Sequence, residues 1–127
     1  SADAIAFAER WGYPLIVKPI AGFGSLSTFR CADRKQLDDA IGKLKPAANH
    51  PIAIEEFIEG HEGFFDTMCD AAGVRHEFAS HYFPGCLEAN TQRWISPQIA
   101  VTNRIEQGGY DELRAMNRRV VDALGIR

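Results

Sequence analysis

The sequence has no cationic excess. Fourteen Lys and Arg face seventeen Asp and Glu, a formal net charge of -3. That balance gives no global field to draw in a nucleic acid or an anionic membrane surface, so an anionic ligand must be held by local groups. Cysteine is sparse, with Cys31, Cys69 and Cys86 scattered and no CxxC spacing. An odd, dispersed set argues against a disulfide framework and against a zinc site, and sets the expectation of free thiols in a reducing cytosol. No apolar run approaches the roughly 20 residues that span a bilayer, and no basic-then-apolar leader is seen. Internal repeats and low-complexity tracts are absent as well.

What remains is ordinary globular composition, 46% hydrophobic and 24% charged over 127 residues. The chain opens at Ser1 and closes on Gly125-Ile126-Arg127 just past a helical pattern, which sets the expectation of a segment of a longer protein. Ala4, Ile5, Ala8 and Trp11 predict a first helix over residues 1–11, with Ser1 as N-cap and Gly12 as its stop. Leu15–Lys18 reads as a strand, and residues 26–31 as its hairpin partner after a glycine-bearing loop. Asp33 caps a second helix whose Leu37, Ile41 and Leu44 form a stripe ended by Pro46.

Ile52–Ile54 reads as a buried strand running into Glu55 and Glu56. Gly63–Asp70 and Val74–Phe83 form two longer strands turned by Ala71-Ala72-Gly73, with Pro84-Gly85 closing the hairpin. Residues 86–103 carry little periodicity and read as loop with a short strand. Leu113, Met116, Val120, Val121 and Leu124 mark a final amphipathic helix stopped by Gly125. The order helix, two strands, helix, three strands, helix is α+β, with antiparallel strands packed by helices. The glycine loop leads into a strand instead of opening a helix, so no dinucleotide-binding fingerprint is present.

The chemistry concentrates at Gly12–Arg30. Lys18 ends a strand and is followed by Gly22, Gly24, Ser25 and Ser27. A point charge beside a loop whose backbone N–H groups are unobstructed suits a polyphosphate. Downstream, an apolar strand emerging into backbone donors and acceptors suits an adenine edge, and a carboxylate suits ribose hydroxyls. The plain readings are an exposed strand-end lysine, a solvated acidic edge at Glu55, Glu56 and Glu59, and an exposed Glu62. His50, His61, His76 and His81 lack the i, i+4 spacing of a helical ligand pair, so no metal site is expected from them. Ser25 and Ser27 have no base nearby in sequence. Phe57, Phe64, Phe65, Phe78 and Phe83 read as core.

VKP, then AGFGSLST, then EEFIEGHE beginning 37 residues after Lys18, resembles the nucleotide-binding half of the ATP-grasp superfamily. That group holds carboxylate–amine and carboxylate–thiol ligases, biotin carboxylase-like enzymes and carbamoyl-phosphate synthase large subunits. The resemblance covers nearly the whole chain and implies a partial ATP-grasp domain over residues 1–127, the lid subdomain with part of the adjoining C-terminal subdomain. It implies that Lys18 contacts the phosphates of ATP and that the loop of Gly22, Gly24, Ser25 and Ser27 covers them. The glycine-rich biotin carboxylase pattern is not reproduced there. By the same likeness Glu55 receives the exocyclic amine of adenine, backbone groups of Phe57 and Ile58 pair with the base, and Glu62 accepts the ribose hydroxyls. Magnesium ligands are expected beyond Arg127, so the segment alone is expected to be inactive. Arg93 and Arg104 are candidates for a substrate carboxylate. Implied partners are small-molecule carboxylates and nucleophiles, with no nucleic acid and no membrane. A non-catalytic nucleotide-binding domain is the alternative. A third reading is a structural module with no ligand, which would pair Lys18 with a nearby carboxylate.

Overall fold

A computed structural model describes residues 2–22, 25–92 and 94–126. The chain divides into two compact units, residues 1–60 and 61–127.

In the first unit, helix α1 (Ala2–Trp11) leads to β1 (Leu15–Pro19), β2 (Phe29–Cys31), helix α2 (Arg34–Leu44) and β3 (Ile52–Glu56). The strands form an antiparallel sheet ordered β2-β1-β3. Residues directly opposite in an antiparallel pair point to the same side. The register Leu15↔Cys31, Val17↔Phe29 and Val17↔Ile54 therefore gathers those apolar side chains on one face. Leu15, Val17, Cys31, Leu37, Ala40 and Ala8 form the buried core, with Phe7, Ile41, Leu44, Ile52 and Ile54 packed against it.

Asp33 caps α2 as its sequence predicts, its carboxylate accepting from the Gln36 amide at 2.8 Å. Leu37 is fully buried where α2 meets the sheet. Replacing it with Ala is expected to cost about 3 kcal/mol, from lost transfer energy plus the cavity left behind. Urea denaturation checks this, and a loss below about 1 kcal/mol would displace Leu37 from the core.

Three expectations for this unit change. Trp11 does not join the core; it is 48% exposed and packs beside Phe7 and Arg10, while Ala4 and Ala8 are buried. The second strand is shorter than 26–31, because Ser25–Ser27 form a turn closed by Thr28 N–H to Ser25 carbonyl. Ser25 and Ser27 take positive φ there, 54° and 59°, which an extended strand does not use. Ser1, the expected cap of α1, lies outside the described residues.

In the second unit, β4 (Gly63–Asp70) and β5 (Gly73–Phe83) form a long antiparallel hairpin, and β6 (Gln98–Val101) pairs with the far end of β5. Gly63 lies opposite His81, and a Cβ on Gly63 would clash with the Ser80 carbonyl oxygen. Only glycine permits that approach of the two backbones. Pro84-Gly85 does not simply close a hairpin: it leads into a short helix, α3 (Cys86–Thr91), which the weak periodicity of 86–103 concealed. Helix α4 (Asp111–Leu124) follows, and Gly125 ends it in the left-handed conformation at φ 62°.

The apolar stripe of α4 is mostly open. Of its five members only Val121 is buried, while Leu113, Met116, Val120 and Leu124 are exposed. The helix is tied instead through Arg114 and Asn117, which share a face with Val121 and reach Glu77 of β5. Phe83 likewise departs from the expected core at 51% exposed.

Candidate functional site

The alternation that buries Leu15 and Val17 turns the intervening residues to the opposite face. Ile16, Lys18, Arg30, Ala53 and Glu55 share it through the pairings Ile16↔Arg30, Ile16↔Glu55 and Lys18↔Ala53. Helices α1 and α2 pack on the other side, so among the described residues neither helix of this unit covers this face. Lys18 Nζ lies 2.8 Å from Glu55 Oε2, both side chains about half exposed. An ion pair so exposed contributes about 0–1 kcal/mol, so a stronger anion can take the lysine from its partner.

Arg30, which the sequence reading passed over, adds a second cation. Its guanidinium carbon sits 4.5 Å over the Phe57 ring. The clue was present in the triplet Phe29-Arg30-Cys31: with its neighbours turned inward, period-two alternation sends Arg30 outward with Lys18.

Phe57 and Ile58 follow the end of β3. The Phe57 amide is already bound to the Pro14 carbonyl at 3.2 Å, leaving its carbonyl for a ligand. Ile58 is 85% exposed, and its amide has no partner among the described residues. Donor and acceptor therefore stand on adjacent residues, the pattern an adenine edge requires. Gly22 lies in open space, and Ser25 and Ser27 occupy the turn. Gly24 lies outside the described residues, as does Arg93. Arg104 is exposed, its amide donating to Thr102 Oγ1.

A cavity of about 460 Å³ in this unit lies on the helix-covered side, lined by Phe7, Ile41, Ile52 and Ile54 among others. Asp3 is the one charged residue among its described lining, which does not suit a phosphate.

Glu62 belongs to the second unit and has a structural task there. Its Oε2 accepts the Cys86 amide at the start of α3 at 2.7 Å, and a Cβ on Gly85 would lie 2.7 Å from the same oxygen. Burial pushes the Cys86 thiol up, and the Glu62 carboxylate adds to the effect, so Cys86 stays a thiol at neutral pH. A carboxylate has about four lone-pair sites, so Glu62 retains acceptor capacity beyond this bond. Cys31 is raised too, first by burial and then by Asp33. All three cysteines are free.

The antiparallel α+β architecture, with lysine, serine turn and acidic strand end in this order, is consistent with a fragment of the ATP-grasp superfamily. Residues 1–74 match the family described as carbamoyl-phosphate synthase L chain, ATP binding domain. The chain belongs to that family, and every candidate nucleotide-binding residue falls within the matched stretch, while Arg93 and Arg104 lie beyond it. It is also similar to the carbamoyl phosphate synthase large chain, C-terminal section, of Methanopyrus kandleri, with 32% identity over 89 residues. That alignment covers 68% of this chain and 15% of the relative, so the chain spans a small part of the protein it matches.

Proposed function

We propose that this chain is the ATP-binding segment of an ATP-dependent ligase, comprising the lid subdomain and part of the adjoining C-terminal subdomain. In the whole protein, a substrate carboxylate oxygen attacks the γ-phosphorus of ATP. The bond from that phosphorus to the β,γ-bridging oxygen breaks, ADP leaves, and an amine or related nucleophile displaces phosphate from the acyl phosphate. The observation that carries this reading is the open sheet face bearing Lys18 and Glu55 inside a stretch matched by an ATP-binding family.

In this reading Lys18 exchanges its carboxylate for phosphate oxygens, and the loop of Gly22, Gly24, Ser25 and Ser27 covers them. Such a cover excludes water that would hydrolyse the acyl phosphate. Glu55, released from the lysine, accepts the exocyclic amine of adenine, while the Phe57 carbonyl and Ile58 amide meet the base. Glu62 uses its remaining lone pairs for ribose. The described residues form no group of three His, Cys, Asp or Glu able to hold a metal, so they do not fit the magnesium of such ligases. No step is assigned through it.

The Lys18–Glu55 pair is also what a module without a ligand would form, and a titration separates the two readings. Adding millimolar ATP to the 127-residue chain is expected to move the amide resonances of Lys18, Ser25, Glu55 and Ile58, without saturation at micromolar nucleotide. Shifts confined to other residues, or none, would remove the site. Micromolar affinity would contradict the expectation that this segment holds only part of the pocket.

A further inference from the structure

The second unit joins two histidines that stand twenty positions apart. His61 Nε2 lies 3.0 Å from His81 Nδ1, and His81 Nε2 lies 2.8 Å from the Tyr110 hydroxyl. The rings of His61 and Phe83 pack at 5.0 Å between centroids. The segment carrying His61 is pinned on both sides of its neighbour: the Glu62 carbonyl accepts the Tyr82 amide at 3.0 Å, and its carboxylate holds the Cys86 amide. Gly63 then brings β4 against Ser80 more closely than any side chain would allow. These contacts hold the backbone next to His61 in place opposite His81, with the His61 side chain itself exposed.

We propose that His61 and His81 form a two-imidazole site for a divalent transition cation of the zinc class. Between nitrogens this close only one hydrogen fits, so one of them already offers a lone pair to the other. When His81 Nε2–H donates to Tyr110, its Nδ1 is the lone pair, and moving the His61 proton to its other nitrogen frees His61 Nε2 as well. Two lone pairs then converge on one point. Zinc–nitrogen bonds of about 2.0–2.1 Å at a tetrahedral angle need the nitrogens about 3.3 Å apart, a small widening of the present contact.

Tyr110 fixes the tautomer as the outer partner of a metal-binding histidine ordinarily does. Imidazole nitrogen selects zinc, nickel or copper over magnesium, which takes oxygen ligands. Among the described residues no third His, Cys, Asp or Glu completes the set, so water fills the remaining positions and affinity is modest.

The test uses the untagged chain and zinc chloride, read by calorimetry and by the imidazole nitrogen resonances. One zinc per chain is expected, with coordination shifts at His61 Nε2 and His81 Nδ1. His61→Ala and His81→Ala should each weaken binding at least about tenfold and Tyr110→Phe about tenfold, as loss of an outer partner does. His50→Ala and His76→Ala should bind as the parent does. Zinc binding unchanged in His61→Ala would overturn the site, as would shifts confined to other residues or no response at millimolar zinc. Should His81→Ala fail to fold, the resonances of the unmodified chain decide the matter alone.

Discussion

Lys18→Ala, introduced into the whole protein, is expected to weaken ATP binding about tenfold to a hundredfold, while Lys45→Ala changes it less than about twofold. The range follows from the worth of a hydrogen bond to a charged group, about 1.5–3 kcal/mol. Lys18 faces the open side of the sheet and, among the described residues, pairs with the exposed Glu55. Lys45 caps the C-terminus of α2, where its amide bonds the Ile41 carbonyl, and does not share that face. Lys18→Arg should recover part of the loss, because phosphate here needs a cation more than a particular fork of donors. Calorimetry with ATP measures all three. Equal affinity in Lys18→Ala and Lys45→Ala would end the assignment of this face to the triphosphate.

Local signals were easy to read and distant ones were not. Asp33 three residues before Gln36, Gly125 after Leu124 and the alternation in Leu15–Val17 all act within one turn or one strand, and each stands where its sequence predicts. Helix α3 escaped because it is six residues long, has no buried member, and owes its first amide's partner to Glu62, 24 positions upstream. The strand expected over 26–31 lost its first half because Leu26 lies between two serines in a turn and is 62% exposed. The order of Lys18, the loop and Glu55–Glu62 was legible as a family pattern. The exchange of ligands at its centre was not, since Lys18 and Glu55 are diagonal neighbours only once β1 and β3 are in register. The His61–His81 pair depends in the same way on the register of β4 with β5.

Arg114→Ala is expected to be the most destabilising polar substitution in the second unit, costing about 3 kcal/mol, the lower end for breaking a buried pair. The Arg114 side chain is 18% exposed and that of Glu77 12%, with Nε 3.2 Å from Oε2. That Nε makes no hydrogen bond, so the contact is ionic. The same guanidinium donates to the Ile105 carbonyl at 2.9 Å and meets Glu106 at 3.3 Å, while Asn117 donates to the other oxygen of Glu77 at 3.2 Å. Removing the arginine strands a largely desolvated carboxylate under α4 and frees the loop before it. Because most of the apolar stripe of α4 is exposed, little hydrophobic burial is left to hold the helix in place. Replacing both partners, Arg114→Met with Glu77→Leu, should restore much of the loss, since the cost lies in the unpaired charge and not in the missing attraction. Thermal melts followed by circular dichroism read the series. A single variant within about 0.5 kcal/mol of the parent would place this pair with ordinary surface contacts, and the docking of α4 would then rest on Val121 and Asn117.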